Sequence, residues 1–164
     1  MRRAILASSG LALALAAMFG AGCSKLGVAA GHGRAPRLPT AALDQAIAQG
    51  IGDPDTCVLL ADPATGKVLY RYGEDFNCIR GLPACDRPGY LTATQALKWA
   101  RSPGGRQTSC NSIPDGSRTV GWAEGTTTSA KHPLLYSAVM EGQTALPGHE
   151  MAARLADAFS GLGL

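Results

Sequence analysis

The chain has 164 residues, 15 basic against 12 acidic, a net charge of +3 and only 5% aromatic residues. With no Lys/Arg run and few rings to stack on bases, this composition argues against nucleic acid as a partner. The basic excess is also concentrated at the N-terminus, so it says little about the body of the protein.

The first stretch, "MRRAILASSGLALALAAMFGAGC", places Arg2 and Arg3 before an uncharged apolar run from Ala4 to Phe19. Such a run fits the h-region of a signal peptide over residues 1–22, and is short for a membrane span of roughly 20 apolar residues. Gly20-Ala21-Gly22-Cys23 follows, and small residues before a cysteine resemble a bacterial lipobox. The resemblance implies a lipoprotein with a diacylglyceryl group on Cys23, and Ser24 after it implies delivery to the outer membrane, facing the periplasm. Without Arg2 and Arg3, 13 basic residues face 12 acidic ones, a net charge of +1.

Residues 23–38 are rich in Gly, Ala and Pro and carry Lys25, Arg34 and Arg37 with no acid beside them. They read as a flexible tether whose charges either rest on anionic lipid or are simply solvated. Residues 39–164 are long enough for one domain with a real core.

"LPTAALDQAIAQGIGD" reads as a short helix that Thr40 caps, with Leu43, Ala46 and Ile47 forming a narrow apolar stripe. "TCVLLADPATGKVLYRYG" reads as a β-hairpin turning at Asp62-Pro63-Ala64-Thr65-Gly66. Its first run, Cys57 to Ala61, is apolar at every position and is expected to be a central strand. "EDFNCIRGLPACDRPG" is irregular, and "YLTATQALKWARS" is a helix capped by Thr92 or Thr94. "QTSCNSIPDGS" is expected to be a loop. "RTVGWAEG" and "LLYSAVMEG" read as two strands joined by "TTTSAKHP". The closing helix carries Met151, Leu155 and Phe159 on one face, with Glu150 in its first turn. The expected class is α+β: an antiparallel sheet of about four strands, helices at both ends, and a disulfide-stabilised insert.

Beyond Cys23 there are four cysteines: Cys57, Cys78, Cys85 and Cys110. An even number behind an export signal predicts two disulfides. Zinc is the rival reading, but there is no C-x-x-C and His32, His132 and His149 are scattered, so no metal or cofactor is expected. Three pairings are open, and the favoured one joins Cys78 to Cys85 and Cys57 to Cys110, making "SCNSIPDG" a cross-linked turn.

The order of elements, with "VLLADPATGKVLYRYG", "VGWAEG" and "LLYSAVMEG", resembles the penicillin-recognising serine acyltransferases, the class D β-lactamases most of all. That likeness implies acyl transfer, with Ser109-Cys110-Asn111 in the place of the family's Ser-x-Asn. The family's nucleophile stands on Ser-x-x-Lys, where a desolvated lysine activates the serine. No serine in this chain has a lysine three residues on, and Ser117-Arg118-Thr119 stands where Lys-Thr-Gly would be. A second enzyme reading takes Cys110, His132 and His149 in the chain order of cell-wall cysteine peptidases, but "TSCNSI" lacks that family's Asp-Cys-Ser-Gly stretch.

The reading that needs no missing residue is an exported binding module, of inhibitor or immunity type, for an envelope protein or a cell-wall component. Its expected working face is the stretch from Phe76 to Gly116, where Arg80, Arg87, Arg101 and Arg106 face few acids and suit an anionic partner.

Overall fold

The computed structural model describes residues 38–130 and 132–164. Helix α1 (Thr40–Ile51) leads into the hairpin β1 (Thr56–Ala61) and β2 (Val68–Tyr72). An insert follows: α2 (Asp75–Ile79), β3 (Leu82–Pro83), β4 (Tyr90–Leu91) and α3 (Ala93–Ala96), which tightens into a 3₁₀ turn over Leu97–Arg101. Then come β5 (Arg106–Asn111), β6 (Thr119–Thr126), β7 (Leu135–Gly142) and α4 (Gly148–Gly161). The five-stranded antiparallel sheet has the order β2-β1-β7-β6-β5, and β3 and β4 pair separately. The class is α+β, as the sequence predicts.

Strand β1 is buried along its whole length because both faces of the sheet are covered. Val58 and Leu60 face α1 and α4, where Leu43, Ile47, Met151, Leu155 and Phe159 fill one core. Cys57, Leu59 and Ala61 face the insert, where Trp122, Val120 and Val139 meet Leu82, Leu91, Ala93, Ala96 and Leu97. The stripe Met151-Leu155-Phe159 is fully used: each is at most 1% exposed, and each contributes about 1.5–3 kcal/mol by leaving water. Tyr70 donates to Asp44 Oδ1 at 2.6 Å, fastening α1 over the sheet.

Three expectations are corrected. The first concerns "RQTSCN", which is a strand and not a loop. Its inward positions are held by Arg106, Thr108 and Cys110 rather than by aliphatic residues, so no apolar alternation marks it. Its ladder to β6, an ion pair and a disulfide hold it instead. The tight turn lies just beyond, where Gly116 N–H donates to Ile113 O.

The second is the cysteine pairing: Cys57 joins Cys78 and Cys85 joins Cys110. The helical turn of α2 buries Cys78 against Cys57 on the central strand, which removes it from reach of Cys85. Cys85 sits at φ 68°, the one described non-glycine residue with positive φ, and turns back toward β5.

The third is a cap. Thr40 is the first residue of α1, not its cap; Pro39 precedes it and no side chain caps the helix. Thr92 does cap α3, in a reciprocal pair with Gln95.

Candidate functional site

The insert is fixed to the sheet by covalent, ionic and hydrogen-bonded ties. Each disulfide joins it to a strand: Cys78 to β1 and Cys85 to β5. Asn77 Nδ2 donates to Pro54 O, and the buried Trp122 donates from Nε1 to Pro83 O, both at 2.8 Å.

Two buried glutamates complete the attachment. Glu124 on β6 is fully buried and accepts from Arg106 Nη1 at 3.0 and 3.2 Å. The same guanidinium donates to both carboxylate oxygens of Asp86 in the insert, at 2.9 and 3.0 Å, and to Ala84 O. Arg87 and Arg106 hold the Asp86 carboxyl well below its usual range. Burial pushes Glu124 up to about 7, against the pull of Arg106, which Asp86 shares.

Glu141 on β7 is the opposite case. Arg118 grips it with two bonds of 2.7 Å, Arg80 adds one at 3.1 Å, and Ser112 Oγ donates at 2.6 Å. These donors outweigh its burial and hold its carboxyl down to about 2, Arg118 contributing most.

The insert leaves three large apolar side chains exposed among its charged and polar surface residues. Phe76 is 64% exposed, Ile79 67% and Tyr90 72%. Phe76 and Ile79 lie one helical turn apart on α2, and the backbone at Gly81 passes beside Tyr90. The Arg80 guanidinium lies over the Phe76 ring, 5.4 Å from its centre, while its tip reaches Glu141.

Comparisons with family models, curated proteins and solved structures find no match for this chain. Its functional reading therefore rests on its own geometry.

That geometry redraws the predicted cationic face. Arg106 is 8% exposed and buried in the Glu124–Asp86 network, so it is not a binding-surface residue. Arg80 is neutralised by Glu141, and Arg87 by Asp86, with its guanidinium 4.5 Å from the centre of the Trp99 ring. Arg101 is exposed and donates to Pro63 O, which leaves its charge uncompensated by that contact. Of the four arginines, Arg80 and Arg106 thus meet acids from other strands, Arg87 meets its neighbour Asp86, and Arg101 alone pairs with no acid among the described residues.

The enzyme candidates do not assemble into a catalytic set. Ser109 Oγ accepts from Gly148 N–H at 2.8 Å and so satisfies the first free donor of α4. The shallow cavity beside it, about 200 Å³, is lined by Ser109, Cys110, Asn111, Thr119, Val120, Ala145 and Pro147, with no lysine, histidine or acid. Cys110 is oxidised and offers no thiolate. His132 lies in the β6–β7 connection, at the opposite end of β6 from the Cys110–Val120 pair, and His149 is exposed in the first turn of α4. Two open depressions of about 540 Å³ flank α1; neither contains a serine, threonine or cysteine to act as nucleophile. Among the described residues no group of three His, Cys, Asp or Glu is placed to hold a metal ion, and no helix is long and apolar enough to cross a membrane. Cys23 and the tether up to residue 37 lie outside the described residues.

Sequence reasoning missed Glu124 and Glu141, and within the expected Phe76–Gly116 face it singled out the arginines rather than Phe76, Ile79 and Tyr90. For the glutamates a signal exists: a lone acid inside an otherwise apolar strand, as in "VGWAEG" and "LLYSAVMEG", implies a buried cationic partner. For the apolar trio, Phe and Ile inside a Pro/Gly-broken stretch give no clue to which way they face.

Proposed function

We propose that this chain is an exported bacterial envelope protein, anchored by lipid on Cys23, that works as a binding module. Its insert face takes a protein partner through Phe76, Ile79 and Tyr90. The observation that carries this reading is the contrast between a heavily fastened underside and three large apolar side chains left in water. Side chains of this kind at the centre of an interface supply most of its binding energy. Fixing the backbone beneath them lowers the ordering cost of association. The two disulfides fit export to an oxidising compartment. The lipid anchor rests on the Gly-Ala-Gly-Cys stretch and the tether after it.

A photo-crosslinking residue in place of Ile79 or Tyr90, in living cells, should capture one discrete envelope protein. The same residue in place of Gln49, exposed on α1, should not. Phe76→Ser with Tyr90→Ser should abolish capture from Ile79 while leaving the melting temperature within a few degrees. Equal capture from Gln49 and Tyr90 would overturn the insert as the working face. Cys23→Ser should release the protein from membranes into the soluble periplasmic fraction, and unchanged membrane association would overturn the anchor.

A further inference from the structure

We infer that the outer edge of β5 pairs with β5 of a second copy of this chain, merging two sheets across a two-fold axis at Ser109. This surface is separate from the insert face, and the inference does not depend on the function proposed for that face.

The strand order leaves β5 at one end of the sheet, and no described element pairs with its outer side. The register decides which groups are open. Ser112 N–H donates to Arg118 O, so residues 112 and 118 are a hydrogen-bonded pair. Hydrogen-bonded pairs alternate along an antiparallel ladder. Arg106, Thr108 and Cys110 therefore turn their main-chain groups toward β6, and Gln107, Ser109 and Asn111 turn theirs outward. All three outward residues are exposed.

Sheet edges in monomeric proteins carry devices that refuse a neighbour: prolines, bulges, or charges along the rim. The β2 edge has them. Its register slips between Leu60 and Ala61, and Arg71 is exposed there, paired with Asp75. The β5 edge has none. Its register is unbroken, it contains no proline, and its single charge, Arg106, is drawn inward to Glu124.

A second copy fits this edge. An antiparallel two-fold arrangement sets Ser109 against the second copy's Ser109, and Gln107 against the second copy's Asn111. Every outward N–H then meets a C=O, and the facing side chains are uncharged and hydrogen-bonding, with no like charges opposed. An unrelated peptide would need pockets for its alternate side chains, and the one cavity described beside the strand is shallow and small. Helix α4 leaves room. Gly148 packs on the main chain of both Thr108 and Trp122, which places it between β5 and β6. With strands about 4.8 Å apart, the two copies of this helix start lie about 10 Å apart, an ordinary helix spacing.

The test uses the full chain carrying Cys23→Ser, so that it is free of lipid, in sedimentation equilibrium. The expected result is a reversible monomer–dimer equilibrium. Gln107→Pro removes one outward N–H and no bond to β6, so it should weaken the dimer at least tenfold with an unchanged melting temperature. Gln107→Lys is the companion variant should proline disturb the fold, and it should weaken the dimer likewise by hydrating the edge. Ser109→Cys should form a disulfide with its own copy on mild oxidation, because facing residues of a hydrogen-bonded pair stand about 5.5 Å apart. A chain that stays monomeric at every concentration overturns the inference. So does a dimer that both Gln107 variants leave intact and that Ser109→Cys fails to cross-link. Protection of the Gln107, Ser109 and Asn111 amides only when another protein is added would assign the edge to that protein instead.

Discussion

Arg106 and Glu124 face each other across the β5–β6 ladder, and Asp86 closes their ion pair from the insert side. Removing one member leaves the other charge buried without a partner. Arg106→Ala should therefore destabilise the fold by about 3–5 kcal/mol, read as a lower urea midpoint. The double variant Arg106→Met with Glu124→Leu should recover most of that loss. A single variant as stable as the wild type would mean that water reaches the pair.

Stability against pH should rise and then fall, because the two buried glutamates are shifted in opposite senses. Glu141 is held down to about 2 from an ordinary 4.5, so its contribution is present above pH 4.5 and is lost as pH falls toward 2. That contribution is about 3 kcal/mol, and Glu141→Gln should make the acid limb shallower, the remainder coming from Asp86, which Arg87 and Arg106 also hold down. Glu124 is pushed up to about 7, so the unfolded chain loses its proton first as pH rises from 4.5. Stability from this group therefore declines between pH 4.5 and about 7, and Glu124→Gln should remove that slope. Denaturation midpoints measured from pH 2 to 8 test both signs.

Ser109 is a helix cap contributed by a neighbouring strand. Ser109→Ala should lower stability by about 1 kcal/mol, the ordinary cost of a lost cap, and leave partner capture intact. A fluorescent penicillin should not label the wild-type chain. Labelling that Ser109→Ala abolishes would establish acyl transfer at this serine.

The cysteine pairing has a direct readout in tryptic digests made without reduction. The segment 38–67 should remain joined to 72–80, and 81–98 to 107–118, since Arg87 precedes a proline and resists cleavage. A link between 72–80 and 81–98 would indicate Cys78 joined to Cys85 instead. The bridges span 21 and 25 residues, and each contributes about 3 kcal/mol in the chain-entropy model, so reductant should lower the melting temperature strongly.

The elements visible in the sequence are those whose burial follows a simple period. Strand β1, apolar at every position, is central; the stripe Met151-Leu155-Phe159 packs under the sheet; the turn at Asp62–Gly66 closes a hairpin. Strand β5 escapes the same reading because its inward positions hold Arg106, Thr108 and Cys110, and the partners of Arg106 and Cys110 lie 18 residues away at Glu124 and 25 away at Cys85. The arginines mislead for a related reason. Charge counted along a segment says nothing about the acids that tertiary folding brings to it, and Glu141 lies 61 residues beyond Arg80. Pairing Cys78 with Cys85 needs the chain to reverse between them, which Gly81 and Pro83 allow. The one-turn helix α2 instead buries Cys78 toward β1.

The disulfides join cysteines in order of appearance, Cys57 with Cys78 and then Cys85 with Cys110, so the two covalent loops follow one another without interlocking. A chain crossing a membrane from its N-terminus presents the first pair before the second. An oxidase that joins thiols as they emerge makes the native bonds directly, with no later exchange by an isomerase. On the proposed export route Cys23 would emerge before all of them, as the thiol able to disturb this order. Acylation at that sulfur would therefore protect oxidative maturation as well as attach the protein.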